Sequence, residues 1–110
     1  MVKNEILCAP IRDTFWKYGD KFEKVAHNEA NGMYCYRRTS MDSGAITCYE
    51  VFKAPKEKRG DGEPYDRYPS SSDFGFGSAL CIRADGRYTA DKIAFYMANG
   101  FDAGRYKPKN

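Results

Sequence analysis

Runs of aromatic and β-branched residues alternate along the chain with clusters of turn-forming residues, and this pattern predicts a β-rich fold. The runs cover residues 33–39 and 45–53, whereas residues 21–28 fit neither period cleanly and could extend a helix from Asp13 or form a first strand. Asn31 and Gly32 favour the strand, because this pair is typical of a tight hairpin turn into the next extended run, and residues 41–44 supply a second turn. We therefore expect a three-stranded antiparallel meander, followed by a fourth strand over residues 78–83.

The last third of the chain carries the clearest helical pattern. Apolar residues follow Thr89, which we expect to cap the helix, at the spacing of one helix face, and Gly100 is a stop signal. These apolar residues are Ala90, Ile93, Ala94, Met97 and Phe101. The prediction is an α+β fold in which an antiparallel sheet of three to four strands packs against a C-terminal helix, in a single domain over residues 1–110.

Three segments fall outside this regular pattern. Residues 54–73 hold three prolines and densely alternating charges, which are typical of a long exposed loop. The basic tail over residues 105–110 is expected to be flexible. Residues 1–19 are poorly defined, and apolar residues at helical spacing indicate a short helix or an irregular wrap there. These apolar residues are Ile11, Phe15 and Tyr18.

The second strand places aromatic and basic residues on one face of the sheet. Because side chains alternate along a strand, Tyr34, Tyr36 and Arg38 point one way, and Met33, Cys35 and Arg37 point the other. One amphipathic helix covers one face of a small sheet. We therefore expect the other face to present aromatic and basic side chains to solvent or to a partner, which favours binding over catalysis.

These considerations give a set of candidate partner-binding residues in two places. The sheet face and its neighbouring strand supply Tyr34, Tyr36, Arg37, Arg38 and Tyr49. If residues 1–19 pack across that face instead, the strand becomes core and the binding site shifts to the 54–73 loop. The candidates on that loop are Lys58, Arg59, Tyr65 and Arg67.

Composition narrows the possible functions. With 110 residues, 15% aromatics and two leucines, the chain suits one β-rich domain. The net charge of +3 arises from 18 basic and 15 acidic residues that are interspersed, and so small an excess does not by itself indicate nucleic-acid binding. No apolar run is long enough for a signal peptide or a membrane span, so we expect a cytoplasmic protein without a membrane partner.

The residue types used in catalysis show no catalytic spacing. Four cysteines are widely separated and are expected to be buried thiols without disulfides; they are Cys8, Cys35, Cys48 and Cys81. No close pair of ligands of the CxxC kind is present, so no metal site and no cofactor are expected. His27 is the only histidine, and a general base needs a positioned partner. The expectation is therefore a protein that is not an enzyme and has no catalytic residues.

Part of the chain resembles a known group of proteins. Tyr49, Glu50 and Val51 close a strand, a charged loop follows, and residues 68–75 read Tyr-Pro-Ser-Ser-Ser-Asp-Phe-Gly before a further strand and the final helix. In this arrangement the segment from 22 to 101 resembles small uncharacterised bacteriophage and prophage proteins. The resemblance implies no catalytic residues. It implies binding to host proteins, including defence complexes, or to phage nucleic acid.

Three functions follow from these observations. The leading hypothesis is a phage-type accessory protein, acting in the host cytoplasm, that binds a host or phage protein without catalysis and inhibits a host defence system or another host complex. The first alternative is a module that binds single-stranded or double-stranded nucleic acid, with Tyr36 stacking on bases and Arg37 and Arg38 meeting phosphates. The second alternative is a structural protein or a homodimer whose exposed sheet face is the dimer interface.

Overall fold

The computed structural model describes residues 11–58, 60–70 and 78–108. Within these residues the chain forms seven strands and one helix, α1. The strands are β1 (Thr14–Lys17), β2 (Asp20–Asn28), β3 (Met33–Ser40), β4 (Ile46–Lys53), β5 (Lys56–Glu57), β6 (Tyr65–Asp66) and β7 (Ala79–Arg83), and α1 spans Thr89–Asn99. No helix among the described residues is long and apolar enough to cross a membrane.

Five of the strands form one antiparallel sheet in the order β1-β2-β3-β4-β7. The predicted meander and the predicted fourth strand are confirmed, and so is the α+β class. The turn between β2 and β3 has Gly32 at a φ of +75°, a conformation that glycine adopts without the steric cost that other residues incur. The hairpin is therefore present, but its connection is the four-residue segment 29–32, closed by a 2.9 Å hydrogen bond from the Gly32 N–H to the Asn28 carbonyl, and is longer than the tight Asn-Gly turn that the sequence indicates.

Helix α1 covers one face of the sheet, which we call the helix face. Met33, Cys35, Val51 and Ile82 lie on this face and pack with Tyr96 of the helix in one buried cluster. The predicted apolar stripe was only partly correct, because two of its members, Ala90 and Ala94, are exposed, whereas Tyr96 is buried. Tyr96 lies outside the predicted stripe, and its ring nevertheless packs against the sheet.

The start of the helix also differs from the prediction. The residue at the N-cap position is Tyr88, and no side chain caps the helix there. The Thr89 hydroxyl donates its hydrogen bond backward, to the carbonyl oxygens of Arg83 and Gly86, so it closes the turn between β7 and α1 instead. Asn28 and Asn31 donate side-chain hydrogen bonds to the Met97 carbonyl at 2.9 and 3.1 Å and hold the last turn of α1 against the β2–β3 hairpin.

The other face of the sheet, which we call the aromatic face, is also covered. Phe22, Tyr34, Tyr36 and Phe52 lie on it as a second buried cluster. The ring of Tyr68 stands edge-on against this cluster, with its centre 4.6 Å from that of Phe52 and 4.9 Å from that of Tyr36. The expectation that this face is open was wrong, because Tyr68 from the predicted loop packs against it together with Ile11 and Phe15. The alternative in which residues 1–19 pack across this face is therefore supported for these two residues.

The first described residues form a strand where the sequence indicated a short helix or an irregular wrap. Phe15 of β1 stacks on Phe22 of β2 with their ring centres 4.7 Å apart, and this contact fits a strand pair. Tyr18 and Gly19 form the turn that follows, with φ values of +57° and +75°. The helical spacing of apolar residues failed as a guide here because strand pairing with β2 places the backbone in an extended conformation.

The segment over residues 54–70 is not an exposed loop throughout. It contains the β5–β6 hairpin, Ala54 and Pro69 are buried, and Tyr68 enters the core. Residues 71–73, the rest of the predicted loop, lie outside the described residues. At the predicted flexible tail, the backbone N–H of Tyr106 donates a 2.8 Å hydrogen bond to the Tyr96 hydroxyl, so this part of the chain packs on the helix.

Candidate functional site

The two tyrosines predicted to form an exposed platform are inside the protein. Tyr34 is 4% exposed and Tyr36 is fully buried. The Tyr34 hydroxyl donates a 2.6 Å hydrogen bond to Asp66, and the Tyr36 hydroxyl donates one to the carbonyl oxygen of Arg12. Burial raises the pKa of both phenols. These rings are therefore core residues, and they leave no face on which a base could stack.

The two arginines of β3 lie on opposite faces and are both engaged. Arg38, on the aromatic face, forms ion pairs with Asp20 and Glu50. Its guanidinium carbon also lies 5.0 Å from the centre of the Phe22 ring. On the helix face, Arg37 forms a 3.3 Å ion pair with Glu23. The structure therefore separates the two basic groups that the sequence placed side by side.

The remaining predicted residues are scattered. Tyr49 is half-buried against the cluster beneath α1, Tyr65 is half-buried in β6, and Arg67 pairs with Glu57 at 3.3 Å. Lys58 is exposed, and Arg59 lies outside the described residues. The predicted candidates therefore do not form one surface.

A different group of side chains is exposed at one end of the sheet. Large apolar side chains at this end, in the described part of the chain, are 40% to 71% exposed. We call this group the turn-end surface; it consists of Trp16, Tyr18, Met41 and Ile46. Val25, at a bulge in the middle of β2, is the one other large hydrophobic residue of comparable exposure among the described residues.

Strand register brings the members of the turn-end surface together. Trp16 pairs with Lys21, Lys21 pairs with Thr39, and Thr39 pairs with Ile46, so Trp16 and Ile46 lie at the two ends of one row across β1 to β4. Tyr18 and Met41 lie in the two turns beside this row. Side chains directly opposite one another share a face of the sheet. Met33, Cys35 and Val51 lie nearer the other end of the sheet and pack with Tyr96 of α1. The residues of the row are not part of that cluster.

The two turns at this end are joined to each other. The backbone N–H of Met41 donates a 3.1 Å hydrogen bond to the carbonyl oxygen of Gly19. The Lys17 ammonium lies 4.9 Å from the centre of the Tyr18 ring, and the Lys21 ammonium lies 5.9 Å from the Trp16 ring. These contacts place the aromatic rings in defined positions while leaving them open to solvent. The sequence reasoning missed them because it assigned no strand to residues 14–17.

A second group with chemical potential lies on the aromatic face at the β4–β7 edge. Cys48 and Glu50 alternate along β4 toward this face, and Cys81 of β7 stands opposite Glu50. The Sγ atoms of the two cysteines are 2.7 Å apart. The two sulfurs and a carboxylate oxygen of Glu50 all lie within 4.8 Å of one another. Cysteines 33 positions apart in the chain are thus brought together by the register.

The surroundings of this thiol pair distinguish its two members. Cys48 is 5% exposed, whereas Cys81 is exposed, which contradicts the expectation of a buried thiol at Cys81. The hydrogen bond between the two thiols lowers the pKa of Cys81, and the Arg38 guanidinium acts in the same direction. The hydrogen bond with Cys81 and burial both raise the pKa of Cys48. The exposed sulfur is therefore the one that carries negative charge more readily.

Glu50, beneath the thiols, is held by its own partners. Its carboxylate accepts hydrogen bonds from Arg38 at 3.2 Å and from the Tyr68 hydroxyl. Burial, followed by the charge of Glu50, raises the pKa of Tyr68. The carboxylate is thus compensated by Arg38 and is 4% exposed, as expected for a buried charge that forms an ion pair.

The cluster offers three donor atoms of kinds that bind zinc, but its geometry fits a metal ion poorly. Two thiolates on one tetrahedral zinc lie well over 3 Å apart, because each Zn–S bond is about 2.3 Å long. The observed sulfur separation is 2.7 Å. The third donor, Glu50, is already engaged by a cation. The arrangement suits direct sulfur–sulfur chemistry better than metal binding.

No protein-family model matches the chain, and no curated protein or solved structure matches it either. Inferences about its function therefore depend on its own residues, chiefly the turn-end surface and the thiol pair of Cys48 and Cys81.

Proposed function

We propose that the protein acts by non-catalytic binding to another protein, through the turn-end surface. The observation that carries this proposal is the exposure of Trp16 at 58% in β1 and of Tyr18 at 71% in the turn that follows it. Tryptophan and tyrosine are the residue types most often responsible for binding energy in protein interfaces. Met41, which is 58% exposed, adds a flexible apolar side chain of a kind enriched at such interfaces.

The charges around this surface favour a protein partner over nucleic acid. Lys21 and Arg37 both pair with Glu23, at 3.5 and 3.3 Å. Binding to nucleic acid draws most of its free energy from cations that meet phosphates, and cations already paired with carboxylates contribute less. Arg38 is likewise paired with Asp20 and Glu50. The exposed apolar side chains at this end, with Lys17 beside Tyr18, form a mixture of aromatic, apolar and charged groups that suits a protein interface.

Within this proposal the partner is a protein of the host cytoplasm, and this chain inhibits the partner by occupying the partner's surface. The support for this extension is the resemblance of the segment from 22 to 101 to small bacteriophage and prophage proteins. A host defence complex is the target class that this resemblance favours.

The proposal is tested by comparing matched variants. A double variant, Trp16→Ala with Tyr18→Ala, removes both rings, and Val25→Ala removes an exposed apolar side chain elsewhere on the sheet. Cross-linking in host lysate identifies a partner, which is then purified and titrated against each variant. We expect the double variant to weaken binding at least about tenfold, or about 1.4 kcal/mol, and Val25→Ala to bind as the wild type does.

Three results would overturn the proposal. The first is a purified partner that binds the double variant as tightly as the wild type. The second is affinity for nucleic acid alone, with the salt dependence expected for phosphate contacts, which would favour the first alternative. The third is a homodimer in solution that the double variant dissociates, because the turn-end surface would then be filled by a second copy.

A further inference from the structure

A pair of cysteines at the sheet edge provides a second site, separate from the turn-end surface. Cys48 and Cys81 occupy diagonal positions on two hydrogen-bonded strands, since Cys48 pairs with Arg83 and Cys81 pairs with Glu50. Their sulfurs are 2.7 Å apart, closer than two sulfurs in simple van der Waals contact. A disulfide bond is about 2.05 Å long, so forming it needs a further approach of about 0.7 Å.

We propose that Cys48 and Cys81 form a reversible disulfide, in which exposed Cys81 reacts first with a low-molecular-weight disulfide and buried Cys48 completes the exchange. The oxidant class is a glutathione-type disulfide. Access decides the order of the two cysteines, because Cys48 is 5% exposed and Cys81 is exposed. In a dithiol with one accessible and one covered sulfur, the accessible sulfur is the one that an oxidant in solution reaches first.

The exchange balances in two steps. In the first step, the Cys81 thiolate attacks one sulfur of the oxidant; its S–S bond breaks, a bond from Cys81 forms, and one thiolate leaves and takes up a proton. In the second step, the Cys48 thiol loses its proton to solvent and its sulfur attacks Cys81, which releases the second small thiol. The protein dithiol is oxidised to a disulfide, and the small disulfide is reduced to two thiols.

The environment of the pair supports this assignment of roles. The groups that face the two sulfurs come from three strands and the 54–70 segment; they are Arg38, Glu50, Arg83 and Tyr68. Glu50 would disfavour a thiolate, but Arg38 lies 3.2 Å from its carboxylate and offsets its charge. The largest stabilisation of the Cys81 thiolate comes from its hydrogen bond with Cys48, which outweighs the opposing effect of burial on the pKa of Cys81.

Cys35 supplies an internal control. It is fully buried beneath α1, and burial raises its pKa to about 12. It lies on the helix face, whereas Cys48 and Cys81 lie on the aromatic face, so it is outside their reach. We therefore expect Cys35 to stay reduced under conditions that oxidise the other two. Cys8 lies outside the described residues, and peptide mapping assigns its state directly.

The test treats the reduced full chain, in the presence of EDTA, with defined ratios of oxidised and reduced glutathione. Samples are quenched with acid, free thiols are blocked with a maleimide, and the peptides are identified by mass spectrometry. We expect one intramolecular disulfide between Cys48 and Cys81, which dithiothreitol reverses. The oxidised protein should unfold at a higher urea concentration than the reduced one, because the bond closes a long loop.

Two variants separate the roles of the cysteines, and circular dichroism first confirms that each variant is folded. Cys48→Ser should accumulate a mixed disulfide with glutathione at Cys81, because no second thiol resolves it. In the Cys81→Ser variant, Cys48 should stay largely unmodified. Its reaction with glutathione disulfide should be at least about tenfold slower than that of the wild-type protein.

Several outcomes would overturn the proposal. One is a protein that stays fully reduced at oxidising glutathione ratios. Another is a disulfide that joins Cys8 or Cys35 to any other cysteine in place of the expected bond. A third is glutathione attached to Cys48 in the Cys81→Ser variant at the wild-type rate, which would show that the buried sulfur is as accessible as the exposed one.

Discussion

The Tyr68 hydroxyl donates a hydrogen bond to the Glu50 carboxylate across the aromatic face of the sheet. One residue comes from a segment that the sequence predicted to be an exposed loop, and the other lies in the central part of β4. The contact links Tyr68, which covers the aromatic face, to Glu50, which lies beneath the thiol pair. It also shows why this face is core, since the ring of Tyr68 touches Phe22, Tyr36 and Phe52.

Substitution of Tyr68 should separate ring packing from hydrogen bonding. Tyr68→Phe keeps the ring and leaves buried Glu50 without one of its donors, which should lower the free energy of unfolding by about 1–3 kcal/mol. Tyr68→Ala also removes the ring and should cost about 3–5 kcal/mol. Urea unfolding followed by circular dichroism measures both. A Tyr18→Phe control, at a residue 71% exposed, should change stability little; equal losses for Tyr68→Phe and Tyr68→Ala would contradict the prediction.

Asp66 should make the stability of the protein depend on pH. Burial opposes ionisation of Asp66, but hydrogen bonds from Lys56 and Tyr34 outweigh it and hold its pKa below the ordinary value of 3.8. Because the folded pKa is depressed, the stability contributed by the charged carboxylate is present above pH 3.8 and is lost as the pH falls through the folded pKa.

Asp66→Asn keeps an acceptor for Tyr34 and removes the charge. It should lower the free energy of unfolding by about 1 kcal/mol at neutral pH, and the difference from wild type should shrink as the pH falls below 3.8. Asp85→Asn is the matched control, because the Asp85–Arg83 ion pair is about four-fifths exposed and should contribute little. A difference that grows with acidity would show that the charged form does not stabilise the fold.

The asparagines of the β2–β3 hairpin should hold the end of α1. Asn31 donates to the Met97 carbonyl and accepts a 3.0 Å hydrogen bond from the backbone N–H of Met33, so it links the turn to the helix. Asn31→Ala should cost about 1–2 kcal/mol and speed amide exchange in the last turn of α1. Asn99→Ala removes a hydrogen bond within the exposed side of the helix and should cost less. Equal exchange in both variants would exclude the proposed link.

Trp16 should report on the turn-end surface directly. It is the only tryptophan in the chain and is 58% exposed, so its fluorescence should be readily quenched by acrylamide in the folded protein. Trp16→Ala should change the free energy of unfolding by less than about 0.5 kcal/mol, because exposed side chains contribute little to stability. Binding of the proposed partner should protect the fluorescence from the quencher. Strong protection in the free protein would mean that the ring is already covered.

The local elements were predictable because their signals are local. The Asn31–Gly32 turn, the apolar strands around it and the helix that ends before Gly100 depend on residues near one another in the chain. The failures concern residues whose state depends on distant partners. Tyr36 looked like an exposed binding residue until Tyr68, 32 positions later in the printed sequence, was found to cover it. Residues 14–17 became a strand because β2 was available to pair with them.

The same distinction applies to the thiols. Nothing in the spacing of Cys48 and Cys81 marks them as neighbours, because the segment between them has no regular repeat. Their approach depends on the antiparallel register of β4 and β7, which puts Cys81 opposite Glu50. Alternation along β4 then turns Cys48 to the same face. A one-residue shift in that register would place the two sulfurs on opposite faces.

The sequence by itself determined the α+β class, the meander, the position of the helix and the strand assignment of three cysteines, because propensity, turn chemistry and periodicity act over a few residues. Only the tertiary structure decided which sheet face is open and which thiols meet. Those outcomes depend on long-range packing, because Tyr68 covers the aromatic face and the β4–β7 register brings Cys48 and Cys81 together, whereas Trp16 and Tyr18 stay exposed. Whether a side chain is buried depends on the residues that pack against it from other parts of the chain. The alternation of residues along a strand does not specify those residues.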